Sequence, residues 1–254
     1  MAALHSLFLI SLLLAPWSGA LAQACSKHSP PHTVALLELY TSEGCSSCPP
    51  ADRFLGALHD AGLDAGQVVP LALHVDYWDY IGWKDRFSRS DFGERQRWLA
   101  DQASTRTIYT PEFFVAGHEL RDWRGDIAAT VKRINRRPAQ ASIDISLGKR
   151  RDGKLPVEVR ARAPQGGQLF VALYQNGLSS DIGAGENRGV RLRHDYVVRE
   201  WIGPNVLKGD GDTMLSRALV LPADAAPKDL GVAAFVQTAH GEVLQALALP
   251  LCGG

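Results

Sequence analysis

The first strongly apolar run, Val34–Tyr40 (VALLELY), is interrupted only by Glu38 and predicts a strand covered on both faces. From Pro50 to about Ala61, Phe54, Leu55 and Leu58 recur at helical spacing, with Gly62 just beyond the end. Val68–Val75 reads as a second buried strand. Asp91 followed by Glu94 predicts a capped helix through Phe92, Leu99 and Ala103. Phe113–Ala116 is a third strand, and Ile127, Val131 and Ile134 then repeat at helical spacing before Pro138. Strand and helix in alternation predict a small α/β layer fold over residues 23–137.

Beyond a linker at 138–142 the period changes to two. Ile143, Ile145 and Leu147 alternate with polar residues, as do Val157, Val159 and Ala161. Further strand-like runs cover 168–175, 190–198, 213–220, 231–237 and 243–251, between clusters of Gly, Pro, Asn and Asp. The pattern predicts an all-β, sandwich-like domain over 143–254.

Composition narrows the function. The chain has 254 residues, 46% of them hydrophobic and 21% charged, with 27 Lys+Arg against 27 Asp+Glu. That is the balance of a globular protein, with no electrostatic footprint for nucleic acid or an anionic membrane surface. Residues 7–14 form a short apolar run, and Ala20-Leu21-Ala22 is an A-x-A cleavage pattern. Residues 1–22 therefore read as a signal peptide, although the segment before the apolar run carries His5 and no Lys or Arg. The run falls short of the ~20 residues a membrane span needs, and no later segment supplies one. A lipid anchor on Cys25 is the alternative, with a poor approach sequence in Ala22-Gln23-Ala24. Export places the chain in the periplasm or outside the cell, where cysteines meet an oxidising milieu.

Four cysteines are too few for a disulfide scaffold, so their placement carries the chemistry. Cys45-Ser46-Ser47-Cys48 sits where the first strand gives way to a helix. Pro49 and Pro50 suit a first helical turn, and free N–H groups at a helix start favour a thiolate. Cys45 is then the attacking thiol and Cys48 the resolving one. The competing readings are half a zinc site, which lacks a second ligand pair, an inert structural disulfide, and a metal-carrier site that adds His74. Thr110-Pro111 precedes the third strand, in Tyr109–Phe114 (YTPEFF).

Leu39–Asp52 (LYTSEGCSSCPPAD), His74–Phe87 (HVDYWDYIGWKDRF), Tyr109–Gly117 (YTPEFFVAG) and Gly185–Arg199 (GENRGVRLRHDYVVR) together resemble the secreted bacterial family known as domain of unknown function 1223. Residues 34–137 also look like the thioredoxin-like superfamily. That resemblance implies a thioredoxin-like α/β domain, and a cis-proline loop at Thr110-Pro111 that abuts the cysteines and pairs with substrate. It implies no fixed activity for the family, and oxidoreductase function follows by analogy alone.

Other candidates remain. His74, Asp76, Tyr77, Trp78 and Asp79 would emerge beside Cys45 if the first two strands are parallel. They would form a docking wall with Trp78 and Trp83, a metal or proton site, or simply an aromatic core edge. Glu38, buried in its strand, is a candidate proton relay, with a solvent-facing or salt-bridged carboxylate as the alternative. Val190, Leu192, Tyr196 and Val198 alternate with Arg191, Arg193 and Arg199, a solvated strand face or a partner surface. Cys25 and Cys252 stand at opposite ends of the mature chain as a candidate disulfide clasp. The expectation is an exported thiol–disulfide oxidoreductase acting on protein thiols or a redox partner. No cofactor is called for, because the dithiol holds the electrons. The rivals are a metal (copper) carrier using Cys45, Cys48 and His74, and a binding module whose disulfide stays closed.

Overall fold

A computed structural model describes residues 25–105 and 107–252. The expected signal peptide and its cleavage site lie outside them. The strands are β1 (Cys25–His28), β2 (Ala35–Thr41), β3 (Val68–His74), β4 (Glu112–Val115), β5 (His118–Glu119), β6 (Ser142–Leu147) and β7 (Lys154–Arg162). They continue with β8 (Gly167–Gln175), β9 (Leu178–Asp181), β10 (Arg191–His194), β11 (Val197–Leu207), β12 (Thr213–Val220), β13 (Leu230–Gln237) and β14 (Val243–Pro250). Three α-helices lie among the described residues: α1 (Pro49–Gly56), α2 (Ser90–Gln102) and α3 (Trp123–Asn135). None is long and apolar enough to cross a membrane.

The strands do not assemble as the local patterns predict. One eight-stranded sheet runs β14-β13-β8-β11-β3-β2-β4-β5 and takes strands from both sides of residues 138–142. Its seam is a parallel contact between β11 and β3 at Val197 and Ala72, where the Ala72 amide donates to the Tyr196 carbonyl at 2.9 Å. A four-stranded sheet, β1-β6-β7-β12, takes its edge strand from the N-terminal end. The thioredoxin-like α/β domain followed by a separate β-sandwich is therefore not the architecture. Large mixed sheets dominate, and the helices are few.

The reason lies in β8, β13 and β14, which are buried on both faces. Phe170, Ala172 and Tyr174 of β8 join the core around β2 and β3, while Leu169, Val171 and Leu173 join a second core against the four-stranded sheet. Ala233 and Phe235 of β13 likewise face the first core, and Val232, Ala234 and Val236 the second. A strand with both faces apolar must be covered twice, so these strands serve two layers at once. Separating the halves would expose Phe170, Tyr174 and Phe235 to water.

Smaller departures are local. Residues 190–198 divide into β10 and β11 at Tyr196, whose φ is 57°. Helix α2 starts at Ser90 with Arg89 at its N-cap and no side-chain cap. Asp91 instead receives both Nε and Nη2 of Arg89. Cys25 and Cys252 are disulfide-bonded, with Cα atoms 5.7 Å apart across a sequence separation of 227.

Candidate functional site

The loop after β2 tightens before the cysteines. The Gly44 amide donates to Ser42 Oγ at 3.1 Å, and the Cys45 amide to the Ser42 carbonyl at 3.2 Å. A Cβ on Gly44 would lie 3.1 Å from both Trp78 Cβ and Ile81 Cδ1, so glycine lets the loop press on that segment. Cys48 is the N-cap of α1, and the Pro49-Pro50 pair opens the helix, where missing amides cost nothing. Cys45 and Cys48 form a disulfide with Cα atoms 5.4 Å apart. Both residues are buried, at 1% and 0% exposure, while Ser46 and Ser47 between them are exposed.

Thr110 and Trp78 stand beside this pair. The Thr110 carbonyl lies 3.6 Å from Cys45 Sγ, and Ser47 Oγ lies 3.3 Å from the same sulfur and 3.4 Å from that carbonyl. The Thr110–Pro111 peptide is cis. Trp78 Nε1 donates to Thr110 Oγ1 at 2.7 Å, which fixes the indole against the loop. Glu112, which follows Pro111, is buried and accepts from Gln96 Nε2 at 2.6 Å. Burial pushes its carboxyl up to about 7, against the opposing hydrogen bond from Gln96.

Other expected residues take different places. Glu38 is fully buried and held by Arg95, whose Nε and Nη2 reach its two carboxylate oxygens, with Tyr40 Oη donating to Oε1. This is the salt-bridged alternative, and the cysteines have no part in it. His74 turns inward, its Nδ1 2.6 Å from Asp85 Oδ2. Asp79 accepts from the Asp85 amide and the Ser88 hydroxyl, and so serves the turn. Among the described residues, no group of three His, Cys, Asp or Glu side chains is arranged to hold a metal ion.

No sequence pattern ties the next residues to the cysteines. Asn187 Nδ2 donates to the carbonyls of Glu43 at 2.8 Å and Cys45 at 3.0 Å. Glu186 Oε2 accepts from the Ser46 amide at 2.9 Å. Both come from the glycine-rich 183–189 loop, which thereby clasps the cysteine loop. Behind the cysteines, Glu43, Asp52, Asp85 and His194 are buried with His74. One signal was present in the sequence: His194 shares its strand face with buried Leu192, while Arg191 and Arg193 point outward.

A family model described as "Protein of unknown function (DUF1223)" matches residues 36–237. No match was found among curated proteins. Two solved structures are similar in fold. One is a structural-genomics crystal structure of a protein from Agrobacterium tumefaciens, 24% identical, with a TM-score of 0.65 over 88% of this chain and 96% of that one. The other is HBP35 of Porphyromonas gingivalis, 18% identical, with a TM-score of 0.65 over 88% of this chain and 76% of that one.

Proposed function

This chain belongs to the DUF1223 family, and we propose that it is a thiol–disulfide oxidoreductase that exchanges electrons between the Cys45–Cys48 pair and a protein dithiol. The carrying observation is the disulfide of a C-x-x-C motif at the start of α1 with the Thr110 carbonyl 3.6 Å from Cys45 Sγ. After reduction, the positive end of the α1 dipole, which Cys48 caps, favours a thiolate. Cys45 is the exchanging sulfur, because Cys48 is bound into the helix start. The Thr110 carbonyl offers an acceptor for a substrate backbone, and Trp78 offers apolar area beside it. An exported setting, suggested by residues 7–22, supplies the disulfide-bearing partners.

Replacement of Cys48 by serine tests the reading. The expected result is a covalent mixed disulfide formed when Cys45 attacks a small-molecule or protein disulfide and expels one of its thiols, absent in the Cys45→Ser variant. Failure of the Cys48→Ser protein to form any such adduct would sink the proposal. The burial of both cysteines favours a second reading, a binding module with a closed disulfide. That reading predicts a Cys45–Cys48 bond that excess dithiothreitol leaves intact in the folded protein.

A further inference from the structure

Glu112 opens β4 directly after the cis Thr110–Pro111 peptide, and it is 1% exposed. Its two carboxyl oxygens have unequal surroundings. Oε2 accepts from Gln96 Nε2 at 2.6 Å, whereas Oε1 is buried with no hydrogen-bond partner among the described residues. A neutral acid fits this site, with Oε2 as its carbonyl oxygen and only a neutral hydroxyl left unpaired at Oε1. An ionised carboxylate fits badly, because a buried anionic oxygen without a donor is far more costly.

The amide that holds this carboxyl also holds the loop that faces Cys45. Gln96 Nε2 donates to the Tyr109 carbonyl at 2.8 Å, and Gln96 Oε1 accepts from Tyr77 Oη at 3.1 Å. Tyr109 precedes Thr110, whose carbonyl lies 3.6 Å from Cys45 Sγ and whose hydroxyl accepts from Trp78 Nε1. One buried donor group is thus shared between Glu112 and the Tyr109–Thr110 segment. Other titratable groups face Glu112 from each neighbouring element. Glu119 of β5 accepts from the Tyr109 hydroxyl at 2.8 Å and from Arg121. Tyr40 is the register partner of Glu112 on β2, with its hydroxyl on Glu38. Tyr77 approaches from the segment after β3. On α2, Arg95 is turned to Glu38 and Arg97 is exposed. None of these donates to Oε1. Burial, with the negative charge of Glu119 added, pushes the Glu112 carboxyl up to about 7 against the Gln96 hydrogen bond.

We propose that Glu112 is a positioning residue for substrate: its neutral form, through Gln96, holds the Tyr109–Thr110 segment against Cys45, and its ionised form loosens it. The inference rests on the thiol-exchange reading and adds a regulation to it. An ionised Glu112 draws on the Gln96 amide that the Tyr109 carbonyl also needs, and it is repelled by the Glu119 carboxylate. Either effect displaces a residue separated from Thr110 by a single proline. A substrate that pairs its backbone with the Thr110 carbonyl depends on that loop being in place. A small thiol that meets only the sulfur does not. Preference for a peptide dithiol therefore weakens as pH rises through neutrality.

The test compares two dithiols as reductants of the oxidised full-length protein: dithiothreitol and a peptide carrying two reduced cysteines. Each rate for Glu112→Gln is divided by the wild-type rate at the same pH, which cancels the ionisation of the attacking thiol. For the peptide this ratio is expected to rise at least about threefold between about pH 5.5 and about pH 8.5, on the scale of one hydrogen bond. For dithiothreitol it is expected to stay flat. A flat ratio for the peptide would overturn the inference and leave the exchange reading intact. The indole N–H resonance of Trp78, identified by its loss in Trp78→Phe, gives a second readout in the wild-type protein alone. It is expected to shift with an inflection near neutral pH, and absence of the inflection would overturn the inference even if Glu112→Gln does not fold. A wild-type protein that neither dithiol reduces would overturn both readings.

Discussion

The side-chain amide of Asn187 reaches the carbonyl of Cys45 at 3.0 Å from a position 142 residues further along the chain. With the Glu43 carbonyl as its second acceptor, it fastens the cysteine loop to the 183–189 loop at a point local sequence cannot show. Asn187→Ala leaves two buried carbonyls without that donor. The expected cost is about 1–3 kcal/mol in urea denaturation of the oxidised protein. Reduction of Cys45–Cys48 by dithiothreitol is expected to accelerate, because the loop carrying the buried sulfurs loses its tie. A reduction rate equal to wild type would show that the clasp does not control access.

Glu186 places a carboxylate on the amide of Ser46, between the two cysteines. Hydrogen bonding from Ser46 holds its carboxyl below the usual range. A negative charge there opposes a second one on the reduced Cys45. Glu186→Gln is therefore expected to raise the alkylation rate of Cys45 near neutral pH by a modest factor, about two- to threefold, since the pair is solvent-screened. High salt should shrink the difference. A slower alkylation in the variant would contradict the charge argument.

Arg95 lies among the rings of Phe170, Trp201 and Phe235, each within 5.1 Å of its guanidinium carbon, and forks onto Glu38. Its Nη2 also reaches Gln237 Oε1 at 3.1 Å. Arg95→Ala strands a buried carboxylate and is expected to cost about 3–5 kcal/mol. Glu38→Gln added to that variant should recover much of the loss. Chemical denaturation of both variants checks this, and a loss below about 1 kcal/mol for Arg95→Ala would refute it.

Glu112 supplies a pH dependence. Its folded carboxyl sits at about 7, against a reference value of 4.5, so between these values the folded state binds more protons than the unfolded one. Stability from this residue is fully present below the lower value and falls as pH rises to the upper one, by about 3 kcal/mol. Glu112→Gln removes the titration. The variant should lose this part of the decline in stability between pH 4.5 and 7, read from denaturation midpoints across that range.

Part of what stands together at the cysteine pair was legible in the chain alone. Cys45, Cys48, Thr110, Pro111 and Trp78 could be singled out because each has a residue type and a place relative to a strand end that limit what it can do. Glu38 was legible only as a question. A carboxylate in an apolar run must find a partner, but Arg95 is 57 residues away and no local rule connects them. Glu43, Asp52, Asp85 and His194 were harder still. The strand pattern puts His194 on the buried face beside Leu192, but nothing in the sequence joins it to the other three, and only their convergence on His74 makes them a cluster.

By itself the chain determined its periods. Apolar continuity marked β2 and β3, helical spacing marked α1, α2 and α3, and the two prolines after Cys48 placed the pair at a helix start. These are short-range matters of backbone sterics and burial pattern. The tertiary structure decided which strands share a sheet. Residues 168–175, 230–237 and 243–250 carry apolar side chains on both faces, which demands two layers of cover without naming them. Packing chose the cover: β2, β3 and the helices on one side, β6, β7 and β12 on the other. That choice joined the two halves through β11 and β3, and brought the 183–189 loop and His194 to the cysteines. Such long-range pairing is selected by the total apolar area removed from water, a sum over the whole molecule that no single segment contains.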